Sequence, residues 1–431
     1  MSNYSKRLNN VIPGGAHTYS RGDDQFPSNA PQILVRGKGV HVFDPEGRRY
    51  LDYGMALRAI TVGYAEDEID SAAIAQIKNG NNLTRASIIE LEAAELLVDL
   101  IDSVDMVKFT KNGSTAVSAA VKLSRAYTGR DLVARCAEHP FFSYDDWFIG
   151  STQLTRGIPQ DTIEKTKLFR YNDIASLEEL IAQHPGQLAC VVLEPATSEE
   201  PKEGFLQQVQ ELCRMHGIVF VLDEMITGFR WHMKGAQHLY GVKPDLCTFG
   251  KAMANGFSVA CVAGRREIME LGGIEHEGRE RVFLLSTTHG GEMSGLGAFV
   301  ATIGFMQRHK VVEHMWDYGR RLVAMMQRQA DAHGIGHSFK AGGVPCSPYY
   351  LTLDASGANS LGLRTLFSQE MIRNGVLMPW ITLAYRHGEE ELAITERAID
   401  QTFSIYCKAL EEGVGKYLEG PIVKPVFRKY N

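Results

Sequence analysis

From residue 66 onward, short apolar runs alternate with longer amphipathic stretches, one run at a time. MVKFT (106–110) reads as a strand, STAVSAAVKLSRAY (114–127) as a helix and LVARC (132–136) as a strand again. LACVVLEPA reads as a buried strand ending at Glu194; a helix over 205–216 and strands over 218–222 and 259–264 follow. Single strands separated by helices do not pair with their sequence neighbours as hairpins. They need crossovers, so the pattern predicts an α/β fold with a mostly parallel central sheet and helices on both faces. EIDSAAIAQI and IIELEAAELLVDLI lead into this region as amphipathic helices, and a small-residue helix is expected near 295–306.

The flanks read differently. Residues 1–65 are irregular, broken by PGG at 13–15 and GKG at 37–39, with a hairpin expected in VHVFDPEGRRYLDY about a turn at Asp44 to Gly47. A long helix over 313–334, a strand at 349–353 and a closing helix over 389–410 predict a smaller C-terminal α+β domain. The expected organisation is an N-terminal segment (1–65) contributing to the small domain and an interface, a large domain (66–320) and a C-terminal small domain (321–431). With 45 basic and 51 acidic side chains the net charge is -6, which argues against nucleic acid as the main partner. No apolar stretch has membrane-spanning length and the N-terminus has no apolar signal core, so a cytoplasmic protein with no membrane partner is expected. Seven cysteines without a CxxC pair read as small buried hydrophobes, and the 14 histidines do not cluster at metal spacings, so no metal is expected.

Ligands of open α/β sheets sit beyond the carboxyl ends of the strands, and four such ends carry unusual residues here. In TKNGSTA (110–116), Gly113 admits close backbone approach, and Ser114 and Thr115 offer hydroxyls and amides at a helix start that favours an anion. Helix capping by Asn112 or Ser114 would explain the same residues. In VLDEMITGFR, Asp223 follows an apolar run directly; burying its charge demands a cation or several donors, or else a structural partner such as Arg230. In PDLCTFGKAMANGF, Lys251 is held between a strand end and a tight turn, where an otherwise solvated lysine would become nucleophilic toward a carbonyl. In STTHGGEMSG (286–295), hydroxyls precede a glycine pair, as a second phosphate contact or only a polar turn. One cofactor, pyridoxal 5'-phosphate (PLP), reconciles all four. It needs an amine, a carboxylate for its ring nitrogen and a phosphate cup at a helix start.

At this point the sequence resembles the class III PLP-dependent aminotransferases of fold type I, with its nearest likeness to the glutamate-1-semialdehyde 2,1-aminomutase-like branch. VIPGG, NGSTAVSAAVKLSRAYTGRD, VVLEPA, LDEMITGFR, LYGVKPDLCTFGK and AGRREIM carry the resemblance in family order through nearly the whole chain. It implies that Lys251 bonds the cofactor and moves the substrate proton, and that Asp223 partners the ring nitrogen, with Glu224 behind it. Met225 takes the place of a Val that packs on one ring face. Gly113 and Ser114 match the phosphate-binding pair, with Thr115 assisting, and Glu194 of VVLEPA joins the cofactor side. Thr288 resembles a threonine that reaches the phosphate from the other subunit, which implies a homodimer with sites at the interface. Arg21 resembles an arginine that binds a substrate carboxylate. Glu292, Arg58, His17, Tyr19 and Trp380 are further candidates for the substrate side.

The chain departs from the family pattern at several points. Asn112-Gly113-Ser114-Thr115 stands where the family has Ser-Gly-Ser/Thr-Glu. HPFFSYDDW replaces the Tyr-His-Gly motif, so that Phe141 or Phe142 takes over stacking on the cofactor. Segments near 139–165, 272–281 and 379–388 are expected to form or gate the entrance. The expected activity is transamination between a small-molecule amino donor and a carbonyl acceptor (aldehyde, ketone or keto acid). A glutamate-1-semialdehyde-type aminomutase is the alternative, and a non-catalytic binding protein on the same fold is a third reading.

Overall fold

The hairpin expected at Asp44 to Gly47 is present: Gly47 N–H donates to the Asp44 carbonyl (3.0 Å), and β2 (His41–Phe43) pairs antiparallel with β3 (Arg49–Asp52). β1 (Arg36–Lys38) pairs with the outer edge of β2. The computed structural model describes residues 3–430, which divide into two units. One runs from Asp67 to Val312; the other joins the residues up to Glu66 with those from Glu313.

The 67–312 unit is built on a seven-stranded sheet. Its strands are β4 (Met106–Thr110), β5 (Leu132–Cys136), β6 (Thr166–Phe169), β7 (Leu188–Leu193), β8 (Val219–Asp223), β9 (Leu246–Phe249) and β10 (Ala260–Gly264), in the spatial order β4-β10-β9-β8-β7-β5-β6. Six strands run parallel and β10 alone runs against them. β7, β8 and β9 are buried at every position, which is why they read as continuous apolar runs. Helix Phe205–His216 packs Leu206 and Val209 against Phe220 and Leu222 of β8, and ends at Gly217 in a left-handed conformation (φ 58°). Helix Gly113–Thr128 lays Ala116, Ala119 and Ala120 on the sheet, and its small side chains let the backbones approach closely. β6 and helix Ile174–Gln183 are additions to the elements expected from the sequence. β7 stops one residue earlier than expected, because the Glu194 N–H leaves the sheet ladder and donates to His139 Nδ1 (2.9 Å).

In the other unit, β1, β2 and β3 continue into β13 (Val376–Leu377), which runs parallel to β3, so the N-terminal segment and the C-terminal third share one sheet. β11 (Phe339–Val344) and β12 (Ser347–Thr352) form a separate antiparallel pair. Helices Leu361–Arg373 and Glu389–Glu412 complete this α+β unit. Cys136, Cys190, Cys213, Cys247, Cys261 and Cys346 are buried free thiols, and Cys407 is half-buried. Among the described residues no helix is long and apolar enough to cross a membrane, and no group of side chains has the makings of a metal site.

Candidate active site

Because β8 and β9 are parallel neighbours, their carboxyl ends lie side by side, with Asp223 in register with Thr248. Asp223 is 2% exposed. Its Oδ1 accepts hydrogen bonds from Thr248 Oγ1 and from the Met225 N–H, both at 2.9 Å. Burial pushes the carboxyl up to about 6, against the pull of the Lys251 ammonium and of these two hydrogen bonds. At neutral pH the group is therefore an ionised carboxylate in a place that disfavours its charge, which is the environment of a group built to meet a cation. Lys251 follows β9 by two residues and opens the turn Lys251–Ala254. Its φ of 42° is a left-handed value that a residue with a Cβ seldom adopts, and Asn255 closes the turn at φ 45°. Ala252, Met253 and Ala254 are buried behind it.

β4 feeds helix Gly113–Thr128, and here the capping explanation holds in part. Asn112 Oδ1 accepts from Thr115 N–H (2.9 Å) and from Thr115 Oγ1 (3.0 Å). The Gly113 and Ser114 N–H groups, at the first two positions, have no acceptor within the helix. Ser114 Oγ accepts from the Tyr144 N–H (3.2 Å), and its carbonyl accepts from Ser143 Oγ (3.3 Å), fastening the 143–144 segment over the helix start. Met225 links this start to the lysine turn. A Cβ on Gly113 would stand 2.8 Å from Met225 Sδ, and one on Gly250 would stand 2.6 Å from it. A side chain at either glycine would thus force this thioether to move.

Phe141 and Phe142 separate clearly. Phe142 is 2% exposed and lies edge-on to His139 and Phe148, whereas Phe141 is 47% exposed and meets only the edge of Phe148. Glu194 is buried at the end of β7, the neighbour of β8. Glu224 is fully buried and occupied with its own chain, accepting from Thr227 Oγ1 (2.5 Å) and from the Ala236 and Gln237 N–H groups (2.9 Å each). Arg230 is buried as well. Thr288 is exposed, with its carbonyl held by Asn82 Nδ2 at 3.0 Å.

Glu292, expected on the substrate side, is engaged elsewhere. Lys111 Nζ lies 2.6 Å from its Oε2, while Asn81 Nδ2 (3.2 Å) and Ser294 Oγ (3.1 Å) donate to Oε1. The carboxylate clamps the start of helix Met293–His309, and the Lys111 ammonium holds its pKa below the usual range. Arg21, Arg58, His17, Tyr19 and Trp380 all belong to the other unit. Sequence reasoning missed two residues at this edge. Lys111 stands one position before the Asn112 cap, a position that marks it in the motif itself. His139 is 1% exposed, with Nδ1 accepting from Glu194 and Nε2 buried without a partner; burial holds it neutral, its pKa lowered to about 3. Its offset of three residues from the end of β5 is the only signal it carries in the sequence.

These residues fit PLP. A buried carboxylate and an amine sit on adjacent strand ends, two first-turn amides remain for an anion, and the backbone between them is stripped of Cβ atoms around Met225.

Comparison with known proteins agrees. The family described as aminotransferase class-III matches residues 24–347. The 3-aminobutyryl-CoA aminotransferase of Cloacimonas acidaminovorans (strain Evry) is 32% identical over 410 residues, covering 93% of this chain and 95% of that protein. The FumI protein of Sphingopyxis sp. MTA144, solved in its PLP internal aldimine form, superposes with a TM-score of 0.87 at 25% identity over 95% of this chain and 97% of its own. A glutamate-1-semialdehyde-aminomutase from Pseudomonas aeruginosa PAO1 shares the fold, with a TM-score of 0.80 at 20% identity over 94% of each chain. The architecture is therefore that of the fold type I PLP-dependent transferases. Since the family match spans both the strand edge of Asp223 and Lys251 and the turns on either side of it, the chain belongs to the class-III aminotransferases.

Proposed function

We propose that this protein is a PLP-dependent aminotransferase that moves an amino group from a small-molecule donor to an aldehyde, ketone or keto acid. The observation that carries this is a buried, hydrogen-bonded Asp223 at the end of β8, beside the parallel strand β9 that Lys251 follows by two residues. PLP, when bound, supplies a carbonyl that takes up the donor's amine and a protonated ring that accepts electrons. Asp223, its carboxylate fixed by Thr248 and the Met225 amide, would keep a proton on the ring nitrogen. Lys251 Nζ would supply the amine that anchors the cofactor and would serve as the base that moves the donor's α-proton. The Gly113 and Ser114 amides, with Thr115, would hold the cofactor's phosphate, and Met225, Phe141 and Glu194 are the candidates to line its ring. Arg21 meets a substrate carboxylate. Thr288, exposed on its own chain, reaches the phosphate of a second copy, so the working form is a homodimer acting in the cytoplasm.

The 3-aminobutyryl-CoA aminotransferase relative supports transfer to an external acceptor over rearrangement within one molecule. The test is a donor and acceptor screen on PLP-loaded enzyme with mass detection. Keto product should form only when an acceptor is present. Isomerisation of a single amino compound with no acceptor would make the enzyme a glutamate-1-semialdehyde-type aminomutase instead. Failure of the wild-type protein to develop visible absorbance with PLP, dependent on Lys251, would leave a non-catalytic binding protein.

A further inference from the structure

Helix Gly113–Thr128 carries three serine or threonine side chains past its first turn, and one of them behaves unlike the others. Ser124 Oγ donates to the Ala120 carbonyl (2.7 Å) and Thr128 Oγ1 to the Ser124 carbonyl (2.8 Å), the ordinary return bond of a helical hydroxyl to the residue four back. Ser118 has the same option in the Ser114 carbonyl, which instead accepts from Ser143 Oγ (3.3 Å). The Ser118 hydroxyl turns away from its own helix. It donates to Asp145 Oδ2, accepts from Trp147 Nε1 (2.8 Å) and shares a bond with Ser143 Oγ (3.0 Å). A hydroxyl has one hydrogen and two lone pairs, and here all of them go to the single stretch 143–147.

The stretch facing Ser118 is built to meet it. Asp145 stands at the N-cap of the short helix Asp146–Ile149, where an aspartate ordinarily serves the helix's own N–H groups; its carboxylate goes to Ser118 instead. The Tyr144 N–H donates to Ser114 Oγ (3.2 Å) and the Asp145 N–H to Ser143 Oγ (3.0 Å). Trp147 is buried, and its carbonyl accepts from Thr166 Oγ1 of β6 (2.6 Å). At the base of the segment, buried Arg135 of β5 donates to Ser151 Oγ (2.7 Å), to the Ser151 carbonyl (3.0 Å) and to the Cys136 carbonyl (2.9 Å). The same guanidinium lies 4.9 Å from the centre of the Phe148 ring, and Phe141 meets that ring in a T-shaped contact at 5.7 Å. The segment therefore has its own aromatic core and a closed base. Ser114 and Ser118, one turn apart on one helix face, fasten it to the helix.

We propose that Ser118 is a positioning residue of the cofactor site: its three bonds latch the 143–147 stretch to the helix whose first turn offers the phosphate amides, so that Phe141 and those amides are held in one geometry. The proposal rests on the PLP reading, with Gly113 and Ser114 as phosphate contacts and Phe141 as a ring contact. It adds a residue that acts on the cofactor only through Phe141. The chemistry accounts for the residue type. Alanine is the better helix former at this position. Of the small side chains, only a hydroxyl can donate to a carboxylate and accept from an indole N–H at once.

Titration of the full, cofactor-free protein with PLP, followed by visible absorbance, tests this. Ser118→Ala removes all three bonds and should raise the PLP Kd about tenfold; Ser118→Thr, which keeps the hydroxyl, should return it to within about threefold of wild type. A role in stability alone would act whether or not the Phe141 ring is present. In a Phe141→Ala background, Ser118→Ala should change the Kd by less than about twofold, because the ring it places is gone. Asp145→Asn keeps the size of the side chain and weakens the acceptor. It should shift the Kd in the same direction by a smaller factor, and carries the test should Ser118→Ala not fold. An unchanged Kd in Ser118→Ala, the same fold-change in both backgrounds, or a Ser118→Thr variant no better than Ser118→Ala would overturn the proposal. Wild-type protein that takes up no PLP would sink the PLP reading itself, and the latch with it. Wild-type binding with variants that match it refutes the latch alone.

Discussion

Asp223→Asn separates what the site costs the fold from what it gives the chemistry. Asparagine keeps the shape and an oxygen for the Thr248 and Met225 bonds but carries no charge. Unfolded, the aspartate has a pKa of 3.8; folded, burial raises it to about 6. Well below 3.8, by about pH 2.5, the group is protonated in both states and costs nothing. Between pH 4 and 6 the unfolded chain releases the proton while the folded chain still binds it, so stability falls as pH rises. Above pH 6 the penalty is constant at about 3 kcal/mol, roughly two pKa units at 1.36 kcal/mol each. Cofactor-free Asp223→Asn should therefore be more stable than wild type at pH 7.5, with the difference shrinking to about 0.5 kcal/mol at pH 4. Using typical unfolding entropies, 3 kcal/mol is about 3 °C if the whole chain unfolds together and about 6 °C if the 67–312 unit unfolds alone. Scanning calorimetry of the cofactor-free proteins across this pH range measures it. With PLP present the order should reverse, because a buried cation loses its partner, and cofactor affinity should drop about 100-fold or more. Equal or lower Tm for the cofactor-free variant at pH 7.5 would refute the idea that Asp223 is held at a cost to the fold.

Borohydride reduction of the PLP-loaded protein should fix the cofactor to Lys251 and to no other lysine, and peptide mass mapping should find no label in Lys251→Ala. Gly250→Ala sets a Cβ 2.6 Å from Met225 Sδ and should cost about 1–3 kcal/mol in urea unfolding; Met225→Ala should recover most of that in the double variant, and simple additivity would contradict the contact. His139 has the opposite sign to Asp223. Its folded pKa of about 3 lies below the unfolded 6.5, so its contribution is complete above pH 6.5 and is lost as pH falls, by about 2 kcal/mol at pH 5. His139→Gln should flatten that acid limb, and an unchanged slope would count against a neutral buried imidazole.

The cluster of strand ends around Asp223 and Lys251 was legible in the sequence because its signals are written locally. An acid directly after IVFVL, a lysine directly after LCTFG and a glycine between MVKFT and its helix each mark a strand end by pattern, and parallel strands bring such ends to one edge whatever the loops between them do. Direction was less legible than position. β10 reads as one more apolar run, and nothing in ACVAG announces that it lies antiparallel between β4 and β9; that is decided by the short Asn255–Gly256 turn, which leaves no room for a crossover helix. Partners distant in sequence were illegible altogether. Glu292 looked available beside a glycine pair, yet Lys111 and Asn81 meet it from far earlier in the chain. The same holds for Asp52, an ordinary end to a hairpin strand until Tyr64, Gly54 and Met55 are seen to converge on it. Cofactor residues can be read one at a time because PLP dictates their chemical types. A residue such as Asp52, whose partners converge from several segments, shows its place only once those segments are folded together.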